Sequence, residues 1–188
     1  MKKKSMIVGA ALLAGLLISG CANNRELIAT SSLSIRNDVY SETSSAEVES
    51  GKAVADINFS VKRNASRFAG IYFKHSKPSY RVQLNIDGQT ISLEAEPVLE
   101  DKSPIDSNIP ESGTGWKYQF NKRIALAPGK HQLTIALPVD DVICERELDV
   151  RSGFNTITVI PVYNYRSLRP YQGQNFTAGV KDLEVIVK

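Results

Sequence analysis

No property of this sequence limits its fold as strongly as an alternation of apolar and polar side chains with a period of two residues, which begins near Lys52 and continues to the C-terminus. The clearest instance is residues 80–95, where two alternating runs flank Asp87-Gly88. An Asp-Gly pair supplies the positive φ angles of a type I′ turn, so this stretch predicts a β-hairpin. The turn would place apolar residues opposite one another on one face, Leu84 with Ile91 and Val82 with Leu93.

The same alternation predicts about nine or ten short strands, with turn signals roughly every 8–12 residues. Predicted strands cover parts of segments 57–61, 68–73, 80–95, 116–126, 133–139, 142–150, 154–163 and 183–187. No segment has a convincing helical period, so the helices of a parallel βαβ sheet are missing. The pattern therefore favours an all-β fold, a two-sheet antiparallel β-sandwich.

Two connections carry distinct signals. Residues 100–115 contain two prolines and two glycines. They predict a long surface loop between the halves of the sheet system, or a binding loop, because loops of this length are uncommon without a role. Pro128-Gly129 fits the centre of a type II turn, which matches hairpin twist poorly, and predicts a crossing between the sheets.

The N-terminus has the order of a secretory signal: three lysines at 2–4, an apolar run over 6–18, and then Leu17-Ile18-Ser19-Gly20-Cys21. Its end resembles the lipobox of bacterial lipoproteins, which is an aliphatic residue, two small residues and a cysteine. The resemblance implies that residues 1–20 are a signal peptide cleaved between Gly20 and Cys21. Cys21 would then carry the lipid as the first mature residue.

Residues 21–51, with many serines and threonines, predict a lipid-anchored tether in which residues 27–35 could form an edge strand. Residues 52–188 would be the sandwich domain. Ala22 stands where an aspartate would resemble an inner-membrane retention signal, so the expected location is the outer membrane, facing the periplasm or the cell surface. No other apolar run approaches the roughly 20 residues of a membrane-spanning helix.

The formal charge of +3 equals the contribution of the three leader lysines. Without them, 20 basic residues remain against 20 acidic ones, so the mature protein would be neutral. A neutral domain argues against nucleic-acid binding, which requires clustered positive charge.

Cys144 would have no partner within the chain if Cys21 carries a lipid. In the run 142–150, Cys144 shares parity with Val142, Leu148 and Val150, which indicates an inward-facing position on a strand. We favour a buried, inert thiol, the usual state of a free cysteine in a core. The alternative is an intermolecular bridge or a reactive thiol.

A second resemblance rests on a strand that ends in Asp87-Gly88 and on Leu126-Ala127-Pro128-Gly129-Lys130-His131, which opens another strand. These stretches are similar to PEGA-type small β domains of bacterial envelope proteins. The similarity covers residues 81–159; it departs at the insertion 100–115, and the usual Gly-x-Thr-Pro segment is missing. It implies an immunoglobulin- or transthyretin-like fold and a surface or scaffolding role, with no catalytic residues.

The chain has two histidines, His75 and His131. Neither has a second histidine or cysteine at ligand spacing, so no metal or other cofactor is expected. We expect His131 to hydrogen-bond the backbone of the adjacent turn. With no nucleophile elbow, the sequence predicts a protein that is not an enzyme. A hydrolase would need one histidine bonded to a serine, aspartate or cysteine in a pocket, and we predict that neither is.

Residues 163–171 interleave aromatic side chains with arginines, and Phe176 follows. Tyrosine and arginine are typical anchors of interfaces. The candidate partner or ligand contacts are Tyr163, Tyr165, Arg166, Arg169 and Tyr171. The alternative is that these tyrosines cover the end of the sandwich while the arginines stay solvated.

Together these features predict a non-catalytic envelope lipoprotein, held to the membrane by its N-terminal lipid, that docks another envelope protein through an open sheet edge or the loop 163–176. The alternative is a module that binds carbohydrate or peptidoglycan with this loop and Trp116. That alternative requires Tyr165, Tyr171 or Trp116 to be exposed on a flat or concave platform.

Overall fold

The computed structural model describes residues 24–45, 47–64, 79–106, 108–165 and 175–188. Several predictions lie outside the described residues. They are the strand at 68–73 and the site residues Gly20, Cys21, His75, Arg166, Arg169 and Tyr171.

The described chain forms one α-helix, one short 3-10 helix and ten strands. The helix α1 is Asn24–Ser31 and the 3-10 helix is Asn175–Ala178. The strands are β1 Tyr40–Glu42, β2 Ala53–Asn64, β3 Tyr80–Ile86, β4 Gln89–Ala95, β5 Val98–Lys102, β6 Gly113–Leu126, β7 Gly129–Leu137, β8 Val142–Val150, β9 Gly153–Tyr163 and β10 Val180–Val187.

The strands form two sheets that pack face to face, as the alternation predicted. Sheet A has the order β1-β6-β2-β9-β10, and β5 also pairs with β6; sheet B has the order β4-β3-β7-β8. Every pair is antiparallel except β2 with β9, which is parallel. The fold is therefore an all-β sandwich with one parallel pair at the centre of sheet A.

The hairpin prediction is confirmed. Asp87 and Gly88 have φ angles of 47° and 91°, and the backbone of Gly88 donates to Asn85 Oδ1 at 2.8 Å. The register matches the predicted one, with Leu84 opposite Ile91 and Val82 opposite Leu93.

The strand predicted over residues 27–35 is wrong, because residues 24–31 form α1. The helix lies on sheet B through Ile28, its one buried residue. Glu26, Leu27 and Ala29 are good helix formers. An eight-residue helix with one buried position is too short to show a helical period in the sequence. The three-residue strand β1 also lies within the predicted tether and is paired with β6.

The connection predicted as a loop over residues 100–115 is shorter than expected, and it joins two neighbouring strands of sheet A. Residues 98–102 and 113–117 pair as β5 and β6 of sheet A, so residues 103–112 connect two strands of one hairpin and not two halves of the molecule. The crossing predicted at Pro128-Gly129 is confirmed, since β6 lies in sheet A and β7 in sheet B.

The core lies between the sheets. Its largest fully buried apolar side chains come from both layers and from the 3-10 helix: Tyr80, Leu84, Ile86, Leu133, Ile135, Leu137 and Leu148 from sheet B, Tyr118, Ile124 and Leu126 from sheet A, and Phe176 from the 3-10 helix. Cys144 is buried among them, as its parity predicted, and burial raises the pKa of its thiol.

Candidate functional site

One edge of sheet A is interrupted along β6. β5 pairs with β6 as far as Lys117, and β1 pairs with it again from Ile124. On this side no strand among the described residues pairs with residues 118–123. On its other side β6 is paired with β2 without a break from Gly115 to Leu126.

The orientation of the free backbone groups follows from one hydrogen bond. The backbone of Thr43 donates to Arg123 O at 3.3 Å, so the polar backbone groups of Arg123 point towards this side. Backbone groups of alternate residues in a strand point the same way. The backbone N–H and C=O groups of Gln119 and Asn121 therefore also point towards the side of β1 and β5. No described residue forms a hydrogen bond with these groups on that side. We call residues 119–121 of β6 the open edge.

A groove of ≈ 500 Å³ runs beside the open edge, at the corner where the end of β4 approaches β5. Its lining residues are Glu94, Ala95, Glu96, Val98, Leu99, Glu100, Lys117 and Gln119. Val98 is 67% exposed and Leu99 is also exposed, although both are large apolar residues on a strand. The groove thus combines free backbone donors and acceptors, apolar side chains and charges of both signs.

The β5–β6 hairpin that forms one wall of the groove is fixed by Lys62 of β2. Its Nζ donates to Glu100 Oε2 at 3.0 Å, to Glu111 O at 2.9 Å and to Gly113 O at 2.6 Å. These acceptors come from β5, from the loop 103–112 and from the start of β6. The ammonium group also lies 5.1 Å from the ring centre of Phe176. A fully buried cation is accommodated because each of its hydrogens has an acceptor.

The network continues through Glu111. This carboxylate accepts a hydrogen bond from Tyr163 Oη at 2.6 Å and pairs with Lys117, while the backbone of Lys62 donates to Tyr163 Oη at 2.9 Å. Burial raises the pKa of Tyr163, and the charge of Glu111 raises it further. The phenol therefore stays protonated and acts as a fixed donor.

Glu100 remains ionised in this setting. Burial alone would raise the pKa of Glu100, but the hydrogen bond and charge of Lys62, helped by Lys102 and Lys117, outweigh it and lower the pKa below its ordinary value. The groove wall is therefore held by a charged pair at neutral pH.

The structure separates the predicted contact residues. Tyr163 and Phe176 are buried. For these two residues the structure supports the alternative, in which the segment covers the core. Tyr165 is 70% exposed. Trp116 is partly buried against the core and lies opposite Leu99.

We predicted that neither histidine would bond a serine, aspartate or cysteine in a pocket; His131 does bond an aspartate, although none of the grooves described here includes it. Its Nδ1 lies 2.6 Å from Asp87 Oδ2. Its Nε2 donates to Ala127 O at 2.8 Å, which confirms the predicted bond to the turn backbone. Both ring nitrogens are thus engaged in tying the hairpin turn to the crossing between sheets, and neither is left to act as a base.

Within the described residues, no group of three or more histidine, cysteine, aspartate or glutamate side chains is placed to hold a metal ion. In the same part of the chain, no helix is long and apolar enough to cross a membrane. Comparison with known proteins finds no matching family model, no matching curated protein and no matching solved structure.

Sequence reasoning missed Lys62, Glu100 and the open edge. Lys62 stands at a polar position of an alternating run, which predicts exposure. The interruption of β6 depends on where β1 and β5 stop pairing, and neither strand was predicted. The exposed apolar pair Val98-Leu99 was the one available signal.

Proposed function

We propose that this chain is a non-catalytic, lipid-anchored envelope protein that docks an extended segment of another envelope protein on its open edge. Its anchor would be a lipid on Cys21, and its location the outer membrane, facing the periplasm or the cell surface. The observation that carries the proposal is the interrupted edge of β6, where the backbone groups of Gln119 and Asn121 face outward beside exposed Val98.

The stretch of β6 that no strand pairs with, between Lys117 and Ile124, is long enough for a short extended peptide. Between the paired residues Lys117 and Ile124 lie six residues of β6, a span of about 20 Å in a strand. β1 and β5 are both antiparallel to β6, so they run in the same direction. A docked segment that pairs antiparallel to β6 would run in that direction as well and fill the edge between them. Such strand addition takes its affinity from main-chain hydrogen bonds.

The side chains around the gap define the partner's character. Val98 and Leu99 provide apolar surface next to the open edge. Lys117, Glu94 and Glu96 place charges of both signs in the same groove. The docked segment would therefore be selected by an apolar residue that covers Val98 and not by net charge.

The alternative function, binding of carbohydrate or peptidoglycan, is supported by a second groove. It has a volume of ≈ 380 Å³ and lies on the outer face of sheet A. Neutral amides and hydroxyls from three strands supply much of its lining: Asn58, Ser60, Gln119, Asn121 and Thr158. Outside this groove, Tyr165 is exposed, as the alternative requires, whereas Trp116 is partly buried.

Site-specific photo-crosslinking in intact cells tests the docking proposal. A photoreactive residue replaces Val98 beside the open edge, and in a matched control it replaces Phe154, which is 58% exposed and lies on β9. We expect a defined protein adduct at position 98 and none at position 154. Adducts of equal yield at both positions, or none at 98, would overturn docking at this edge.

A proline tests whether the main chain makes the contact. Asn121→Pro removes a backbone N–H that points to the open edge and not to β2, so pairing with β2 is retained. We expect the adduct at position 98 to fall at least tenfold, while Asn121→Ala, which keeps the N–H, leaves it unchanged. Gln119→Pro repeats the test, and thermal unfolding monitored by circular dichroism identifies any variant that fails to fold. If folded proline variants retain the adduct, strand addition is wrong; retention of purified peptidoglycan without an adduct at 98 would favour the alternative.

A further inference from the structure

We infer that the face of sheet B that carries α1 lies against the lipid bilayer, with Leu27, Leu33 and Ile35 in the membrane interface. The inference rests on the lipid at Cys21 proposed above. It replaces the long tether expected from the sequence with a short connection and assigns an orientation to the molecule.

The segment that follows the anchor is fixed to the sandwich from its first described residue. Asn24 Nδ2 donates to Asp141 O at 2.9 Å, and Ile28 is buried on sheet B. At the other end of the segment, the backbones of Ile35 and Arg36 donate to Gly88 O at 2.9 and 3.2 Å.

The middle of the segment is bonded as well. Asn85 Nδ2 donates to Ser31 O at 3.1 Å, and Thr90 Oγ1 donates to the same carbonyl at 3.0 Å. Residues 24–36 are thus part of the fold and cannot act as a free spacer.

Chain length then limits the distance to the membrane. Cys21 precedes Asn24 by three residues, and three extended residues span at most about 11 Å. The headgroup region on each side of a bilayer is roughly 5–8 Å deep. A lipid on Cys21 would therefore hold Asn24, the first residue of α1, close to the headgroup region.

The surface beside α1 suits this position. Leu33 is 62% exposed and Ile35 is 81% exposed, and Leu27 is exposed on α1 itself. These three residues line one shallow groove of ≈ 270 Å³ together with Ile143. Apolar side chains next to a lipid anchor provide the second attachment that stable membrane binding needs.

The charges on this face are mixed. Arg25, Glu26 and Glu145 are exposed near the groove, and Arg36 pairs with Asp38 at 2.8 Å. Electrostatic attraction to anionic lipid therefore contributes little, and we expect insertion of the apolar residues to be independent of salt. Because the two sheets pack face to face, the outer face of sheet A would point away from the bilayer.

Fluorescence quenching by brominated lipid tests the orientation in full-length lipidated protein. The chain has one tryptophan, Trp116, in sheet A. On a Trp116→Phe background, Leu33→Trp reports on the proposed membrane face, and Phe154→Trp reports on an exposed apolar position of sheet A. In phosphatidylcholine vesicles with brominated acyl chains, we expect at least twofold quenching of Leu33→Trp and none of Phe154→Trp or of wild-type Trp116.

Flotation of the same vesicles separates the two possible failures. If wild-type protein floats with the vesicles, Cys21→Ser does not, and Leu33→Trp is quenched no more than Phe154→Trp, the anchor is supported and the orientation is wrong. If wild-type protein does not float, or Cys21→Ser still incorporates lipid label, the proposal of a lipid on Cys21 is wrong. The proposed orientation, which rests on that lipid, is then wrong as well. Quenching of Leu33→Trp that disappears in Cys21→Ser is the result that supports both.

Discussion

The alternation in the sequence predicts that Lys62 is exposed, but the structure buries its side chain. Lys62 has the parity of Asn58 and Ser60, which face the outside of sheet A, yet it is fully buried. Glu111, which precedes β6, lies against this position, and its carbonyl oxygen accepts a hydrogen bond from the ammonium group. Burial of a charge is tolerated here because acceptors surround it, and removal of the charge would leave those acceptors without a donor.

Replacement of this lysine should be costly. We expect Lys62→Met to lower the free energy of unfolding by about 3–5 kcal/mol, the usual range when one partner of a buried ion pair is removed. Lys102→Met is the matched control, because Lys102 lies in the same charged group but is about half exposed; we expect it to stay within about 0.5 kcal/mol of wild type. Urea denaturation measures both, and equal effects would contradict the special role of Lys62.

At the scale of secondary structure, β5 is held both by strand pairing and by side-chain interactions. It pairs with a single strand, β6, and two of its five residues are exposed and apolar. Its attachment to β2 is the bond from Lys62 to Glu100. The ion pair of Lys62 with Glu100 therefore adds a pH-dependent contribution to the strand pairing that holds the wall of the groove.

The pH dependence has a defined sign. The pKa of Glu100 is lowered in the folded state from its ordinary value of 4.5, so its contribution to stability is present above pH 4.5 and is lost as the pH falls through the folded-state pKa. We expect Glu100→Gln to cost about 1.5–3 kcal/mol at pH 7, the range for hydrogen bonds to charged groups. The difference in unfolding free energy between wild type and variant should shrink below pH 4.5. A difference that is constant from pH 7 to pH 3 would show that the ion pair contributes nothing.

For the whole molecule, the two sheets share one core, and neither can bury its inner face alone. Crossings such as the one between β6 and β7 alternate the chain between layers. The parallel pair of β2 with β9 joins residues about one hundred positions apart. These features predict a single cooperative unfolding transition.

A core substitution in one sheet tests this cooperativity with a probe in the other. Leu84 is buried in β3 of sheet B, and Trp116 lies in β6 of sheet A. We expect Leu84→Ala to cost about 2–5 kcal/mol. The midpoint should shift equally by Trp116 fluorescence and by far-ultraviolet circular dichroism. Separate midpoints would mean that the sheets unfold independently.

The sequence alone was sufficient to predict a feature wherever neighbouring residues permit only one local structure. Asp87-Gly88 requires a type I′ hairpin, and the hairpin determines its own register. Alternation placed Cys144 inward, and Pro128-Gly129 placed the crossing between layers. Each of these features depends on residues close together in the chain, so the all-β sandwich could be predicted from them.

Only the tertiary structure decided the features that depend on distant segments. The helix α1 is too short to have a readable period, and it forms where Ile28 finds an apolar site on sheet B. The open edge exists because β1 and β5, which are far apart in sequence, pair with the two ends of β6 and leave its middle free. Lys62 is buried where Glu111, about 50 residues away, lies against it. The candidate site is made of such long-range contacts, which no local pattern encodes.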